Sequence, residues 1–102
     1  MTLSQFCDAV AAVGKAHGGS VTSWGRSPQH SVRVGGFVGD PHTWWLGVDM
    51  VYDTGPNRPE ADQMAKSLGL KVLHEKGHDH YQPADFPAGP VTEYPVRQDR
   101  KA

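Results

Sequence analysis

The chain has 102 residues, 37 % of them hydrophobic, with 12 Gly and 8 Pro and a formal charge of -1. That length allows one small domain and no second core, and the near balance of charge argues against a binder of the nucleic-acid backbone, which concentrates basic residues on one face. A lone Cys7 excludes an intramolecular disulfide, and no run approaches the ~20 apolar residues of a membrane span.

The N-terminus lacks the basic start and apolar run of a secretory signal, so synthesis in the cytoplasm without a signal peptide is expected. Residues 2–17 read as a helix: Thr2 and Gln5 have capping-box spacing, and Leu3, Phe6, Cys7, Val10 and Val13 recur at three- and four-residue intervals. Cys7 is expected as a buried structural thiol, His17 as a last-turn residue facing the helix dipole, and Gly18-Gly19 as the stop. Residues 20–25 are rich in β-formers and read as a short strand ending at Arg26. From there to Pro41 the Gly, Pro and Ser content predicts an ordered loop reaching toward a site.

Residues 44–53 are the clearest strand. Alternation puts Trp44, Leu46, Val48, Met50 and Tyr52 on a core face, with Trp45, Gly47, Asp49, Val51 and Asp53 opposite. Gly47 leaves room beside Asp49 for a ligand or a close backbone approach. Residues 53–59 form a turn by composition, and a second helix over 59–68 starts at Pro59 and stops at Gly69. Leu70–Leu73 is a strand leading straight into an extended segment with His78, His80 and Gln82 on one face and Asp79 and Tyr81 on the other. The fold expected is α+β: a small antiparallel sheet packed by two helices over residues 1–83. A Pro-rich extended tail, residues 84–102, is expected to wrap the body or contact a virion or protein partner.

The densest ligand chemistry lies in His74–Gln82, which packs His74, Glu75, His78, Asp79 and His80 into nine positions. His42 and Asp49 answer it from upstream. A histidine, a carboxylate and a distant second histidine are what an open, catalytic zinc site needs, since three protein ligands leave one tetrahedral position for water.

Taken in order, Arg26-Ser27, Val34-Gly35-Gly36, His42 with Asp49 seven later, Leu68-Gly69-Leu70, and Glu75 before His78-x-His80-Tyr81-Gln82 resemble the zinc D-alanyl-D-alanine carboxypeptidases. The same fold family holds the vancomycin-resistance dipeptidases, phage L-alanyl-D-glutamate endolysins and the hedgehog signalling domain. The resemblance covers residues 20–83, and the small phage-type members, which read Glu-x-x-His-x-His before a Gln, look most similar. It implies a hedgehog- or DD-peptidase-like fold, one zinc per chain held by His42, Asp49 and His80, and catalytic roles for Glu75, His78 and Arg26. Glu75 is the expected general base, with His78 replacing it if Glu75 points to solvent, and Arg26 polarises the scissile carbonyl or holds a substrate carboxylate. The family's Ser, Gly and Ala are Asp40, Trp45 and Gly47 here, and Trp45 on the site face stands where it would narrow or fill the pocket.

The function expected on this resemblance is a zinc peptidase hydrolysing peptidoglycan stem peptides, at D-Ala-D-Ala or an L-Ala-D-Glu-type bond, with zinc-bound water as nucleophile and the cell wall or a virion as final site. The alternative is a non-catalytic phage virion or interaction module that keeps the metallopeptidase fold. Neither reading involves nucleic acid or a membrane.

Overall fold

Helix α1, Leu3–His17, starts at a reciprocal cap: the Gln5 backbone N–H donates to Thr2 Oγ1 at 3.1 Å and the Thr2 N–H donates to Gln5 Oε1 at 2.8 Å. It ends at Gly18, whose φ of 68° is the left-handed conformation that terminates helices. The computed structural model describes residues 1–26, 28–35, 39–55 and 58–87; Ser27, Gly36 and the tail from residue 88 lie outside the described residues.

Strands β1 (Gly19–Ser23), β2 (Val48–Tyr52), β3 (Leu70–Glu75) and β4 (His78–Pro83) form one four-stranded antiparallel sheet in the order β1-β2-β4-β3. Two further helices intervene, α2 (Pro28–Arg33) and α3 (Pro59–Ser67), with a 3-10 turn at Pro41–Trp44. Together α1 and α3 cover one face of the sheet. Phe6, Val10 and Val13 of α1 and Ala61 and Ala65 of α3 meet Val48, Met50, Leu70 and Tyr81 in the core. The other face is free to carry polar side chains, so the fold separates its hydrophobic layer from its chemistry.

The α+β class, the antiparallel sheet and the two covering helices agree with the sequence; several local expectations need correction. The expected loop over 26–41 contains α2, whose Ser31 is fully buried and hydrogen-bonds the Asp40 carboxylate. The long strand over 44–53 begins only at Val48, because Asp40 caps a 3-10 turn through Thr43 N–H at 3.1 Å with Pro41 at its first position. Residues 70–83 are a hairpin rather than one continuous run. Lys76-Gly77 turns the chain, Gly77 supplying φ 84°, and Glu75 pairs with His78. Cys7 is half-buried, not fully buried, and burial together with Asp8 pushes its thiol pKa up. Past the expected domain limit at residue 83, the Ala84 N–H donates to Gly69 O at 2.9 Å and Phe86 packs on the core. No helix among the described residues is long and apolar enough to cross a membrane.

Candidate metal centre

Three elements bring the ligand set together. The 3-10 turn carries His42, and the β2/β4 register pairs Asp49 directly with His80. His42 Nε2 lies 3.1 Å from His80 Nδ1 and 3.3 Å from Asp49 Oδ1, and His80 Nδ1 lies 3.5 Å from the same oxygen. All three side chains are buried, Asp49 to 6 % exposure. Gly47 explains how His42 gets so close. A Cβ there would sit 2.9 Å from His42 N and 3.0 Å from the Pro41 carbonyl carbon, so the glycine serves a close backbone approach rather than a ligand.

These residues are positioned to hold a metal ion, and their chemistry fits one. Nitrogen and oxygen ligands ~2.0–2.1 Å from a tetrahedral cation lie roughly 3.3–3.4 Å from one another, which the three separations bracket. Asp49 Oδ1 is buried without a hydrogen-bond partner, a costly state for a carboxylate that a cation would relieve. Burial alone would raise the Asp49 pKa. The contacts with His42 and His80, and His78 behind them, outweigh it and hold the carboxyl well below the usual range, so the ligand is anionic at neutral pH. Two imidazoles in the set disfavour calcium and magnesium, which take oxygen ligands.

Two neighbours orient the ligands. His80 Nε2 lies 2.8 Å from Gln82 Oε1, so Nε2 carries the proton and the Nδ1 lone pair is left facing the cluster. Arg26 lines the cleft, and its Nη2 donates to Asp49 Oδ2 at 3.3 Å. The same residue's backbone N–H donates to His42 O at 3.1 Å, so Arg26 braces two ligands at once. Sequence reasoning gave neither Gln82 nor Asp40 a role. The signals were present: Gln82 shares the face of His80, and Asp40-Pro41 with Thr43 is a helix-start pattern.

Above the three ligands opens a cleft of about 430 Å³ whose lining includes Arg26, His42, Glu75, His78 and His80. His78 Nε2 is 3.2 Å from Glu75 Oε1 and 3.6 Å from Asp49 Oδ1, both side chains being partly exposed at the rim. Two expectations about this region are corrected. Trp45 does not line the cleft: with φ 63° it leaves the strand path, and its ring lies over Gly25, where a Cβ would come within 2.3 Å of it. His74, counted with the ligand-rich stretch, points to the opposite face of the sheet, 2.7 Å from Asp79 and 2.9 Å from Asp62 of α3.

The molecule is therefore a small α+β domain bearing a buried His-His-Asp ligand set at the floor of an open cleft. In comparisons with known proteins, no family model, no curated protein and no solved structure matches the chain.

Proposed function

We propose that the chain is a zinc-dependent peptidase acting on peptidoglycan stem peptides, at D-Ala-D-Ala or an L-Ala-D-Glu-type bond. One observation carries the proposal: two buried imidazole nitrogens and a buried carboxylate oxygen, from separate elements, converge beneath a cleft with a carboxylate–imidazole pair on its wall. The substrate class and the choice of zinc come from the resemblance of the motifs around His42, Asp49 and His80.

His42, Asp49 and His80 hold the ion, which when bound supplies a water acidified toward neutrality and a Lewis acid for the carbonyl. Gln82 keeps His80 in the ligating tautomer, and Arg26 holds the Asp49 carboxylate through Oδ2. Glu75, 49 % exposed and held by His78, accepts a proton from the attacking water and returns it to the leaving amine. His78 groups with Asp49 and Glu75 and not with the two buried imidazoles. Arg26 also lines the cleft, where a guanidinium can donate to a substrate oxygen.

The test is cleavage of a synthetic stem peptide by metal-loaded protein, beside elemental analysis of the same preparation. We expect one tightly held zinc per chain, loss of metal in Asp49→Ala, and retained metal with lost cleavage in Glu75→Ala. Tight metal without cleavage of either bond type would favour the virion or interaction module; no metal at all would remove the peptidase reading.

A further inference from the structure

Asp49 belongs to two ligand groups. One is His42, Asp49 and His80; the other is Asp49, Glu75 and His78, and in each group the donor atoms lie within 4.8 Å of one another. The shared corner is a buried carboxylate whose Oδ1 has no hydrogen-bond partner, although His78 Nε2 approaches it to 3.6 Å. Glu75 Oε1 completes the second group at 3.2 Å from His78 Nε2. Two oxygens and one imidazole nitrogen are a donor set that zinc and similar divalent ions accept.

We propose that Glu75, His78 and Asp49 form a second, weaker divalent-cation position in the same cleft, and that filling it switches the site off. The inhibitory consequence rests on the peptidase reading above; the position itself rests only on the ligand geometry. A cation bound to Glu75 competes with the proton for the carboxylate and withdraws its negative charge, so occupancy weakens Glu75 in the base role it has in hydrolysis.

Weakness follows from three features of this position. Glu75 and His78 side chains are 49 % and 32 % exposed, so ordering them costs rotamer entropy that the buried ligands have already lost. Among the described contacts neither has an orienting partner comparable to the Gln82 contact behind His80. A cation already on the first group repels the second across a few ångströms, with one carboxylate shared between them. The cleft should therefore fill in order, the buried group first and the rim group in excess metal.

The experiment uses the whole chain, stripped with a chelator and titrated with zinc alone, reading bound metal by equilibrium dialysis and stem-peptide cleavage at each occupancy. We expect a first equivalent that raises cleavage and a second, at least about tenfold weaker, that lowers it. Glu75→Gln and His78→Gln, both at partly exposed positions that the core does not depend on, should each bind one zinc only. Saturation at one zinc per chain, or a second equivalent that binds unchanged in both variants, overturns the inference and leaves the peptidase reading standing. Two zinc ions bound with no cleavage at any occupancy overturns the inhibitory role together with the peptidase reading. No zinc bound at all overturns every part.

Discussion

Replacing Gln82 by Leu should weaken metal binding without weakening the fold. Gln82 Oε1 is the acceptor for His80 Nε2 at 2.8 Å, and the His80 ring is buried. In the metal-free variant the ring can move its proton to Nδ1, where His42 Nε2 waits at 3.1 Å and Asp49 Oδ1 at 3.5 Å, so no buried N–H is stranded. Binding a cation forces the proton back to Nε2, now without a partner, at a penalty of ~1–3 kcal/mol. Since each ~1.4 kcal/mol is tenfold, zinc affinity should fall about 10–100-fold, the range found for lost partners of ligating histidines. Competition against a chromophoric chelator near neutral pH measures this directly. Gln82→Glu keeps the acceptor and should bind zinc at least as tightly as the parent. A Leu variant whose affinity stays within about threefold of the parent would sink the argument that Gln82 sets the tautomer.

Gly47→Ala should act on the same centre from the other side. Its new Cβ meets backbone atoms of Pro41 and His42, which cannot swing away, so a cost of ~1–3 kcal/mol in thermal or denaturant unfolding is expected together with weaker zinc binding; unchanged zinc affinity would show that the 3-10 turn does not position His42. On the far face, the His74 pKa is raised, first by its bond to Asp79; burial opposes this, and the charges of Asp79 and Asp62 add to it. A raised imidazole pKa stabilises the fold fully below the unfolded value of ~6.5, and that contribution is lost as pH rises through the folded value. The melting-temperature gap between the parent and His74→Gln should therefore be widest in acid and shrink under alkaline conditions, staying within the ~1 kcal/mol typical of exposed ion pairs because the His74 side chain is 44 % exposed. A gap independent of pH would mean that the His74 pKa is the same in the folded and unfolded chains.

What could be read from the sequence follows from which physical signal governs each segment. In β4 the signal is strict alternation, so the division of His78, His80 and Gln82 from Asp79 and Tyr81 was readable residue by residue. Asp49 falls on the observed face although alternation alone makes the strand around it too long, because phase counts backward from Met50 and Tyr52 as well as forward from Trp44. What composition concealed was the stretch Pro41–Gly47. Trp44 and Leu46 look like strand residues, yet the Asp40 cap and the left-handed Trp45 set the backbone there, and local hydrogen bonding outweighs apolar periodicity over so few residues. Helix α2 was hidden for a related reason: at six residues it is too short to show a period. His74 counts with the ligand-rich stretch by proximity in sequence, which says nothing of direction. On a strand, odd and even neighbours serve opposite faces, and Asp62, the partner that claims His74, lies on a helix twelve residues away.

The same rule makes the hairpin turn a determinant of the metal centre. Strand β4 has both faces committed, Tyr81 and Asp79 to the buried side and His78 and His80 to the cleft. Its register is fixed on one edge by β2, where Val48 pairs with Tyr81 and Asp49 with His80, and on the other by β3 through the Lys76-Gly77 turn. A slip of one residue would bring Asp79 and Tyr81 into the cleft and drive two imidazoles into the hydrophobic layer. Burial of Tyr81 against Val48, Phe6 and their neighbours therefore selects the ligand geometry as well as the fold: the core side of the sheet holds the phase that puts His80 beside Asp49.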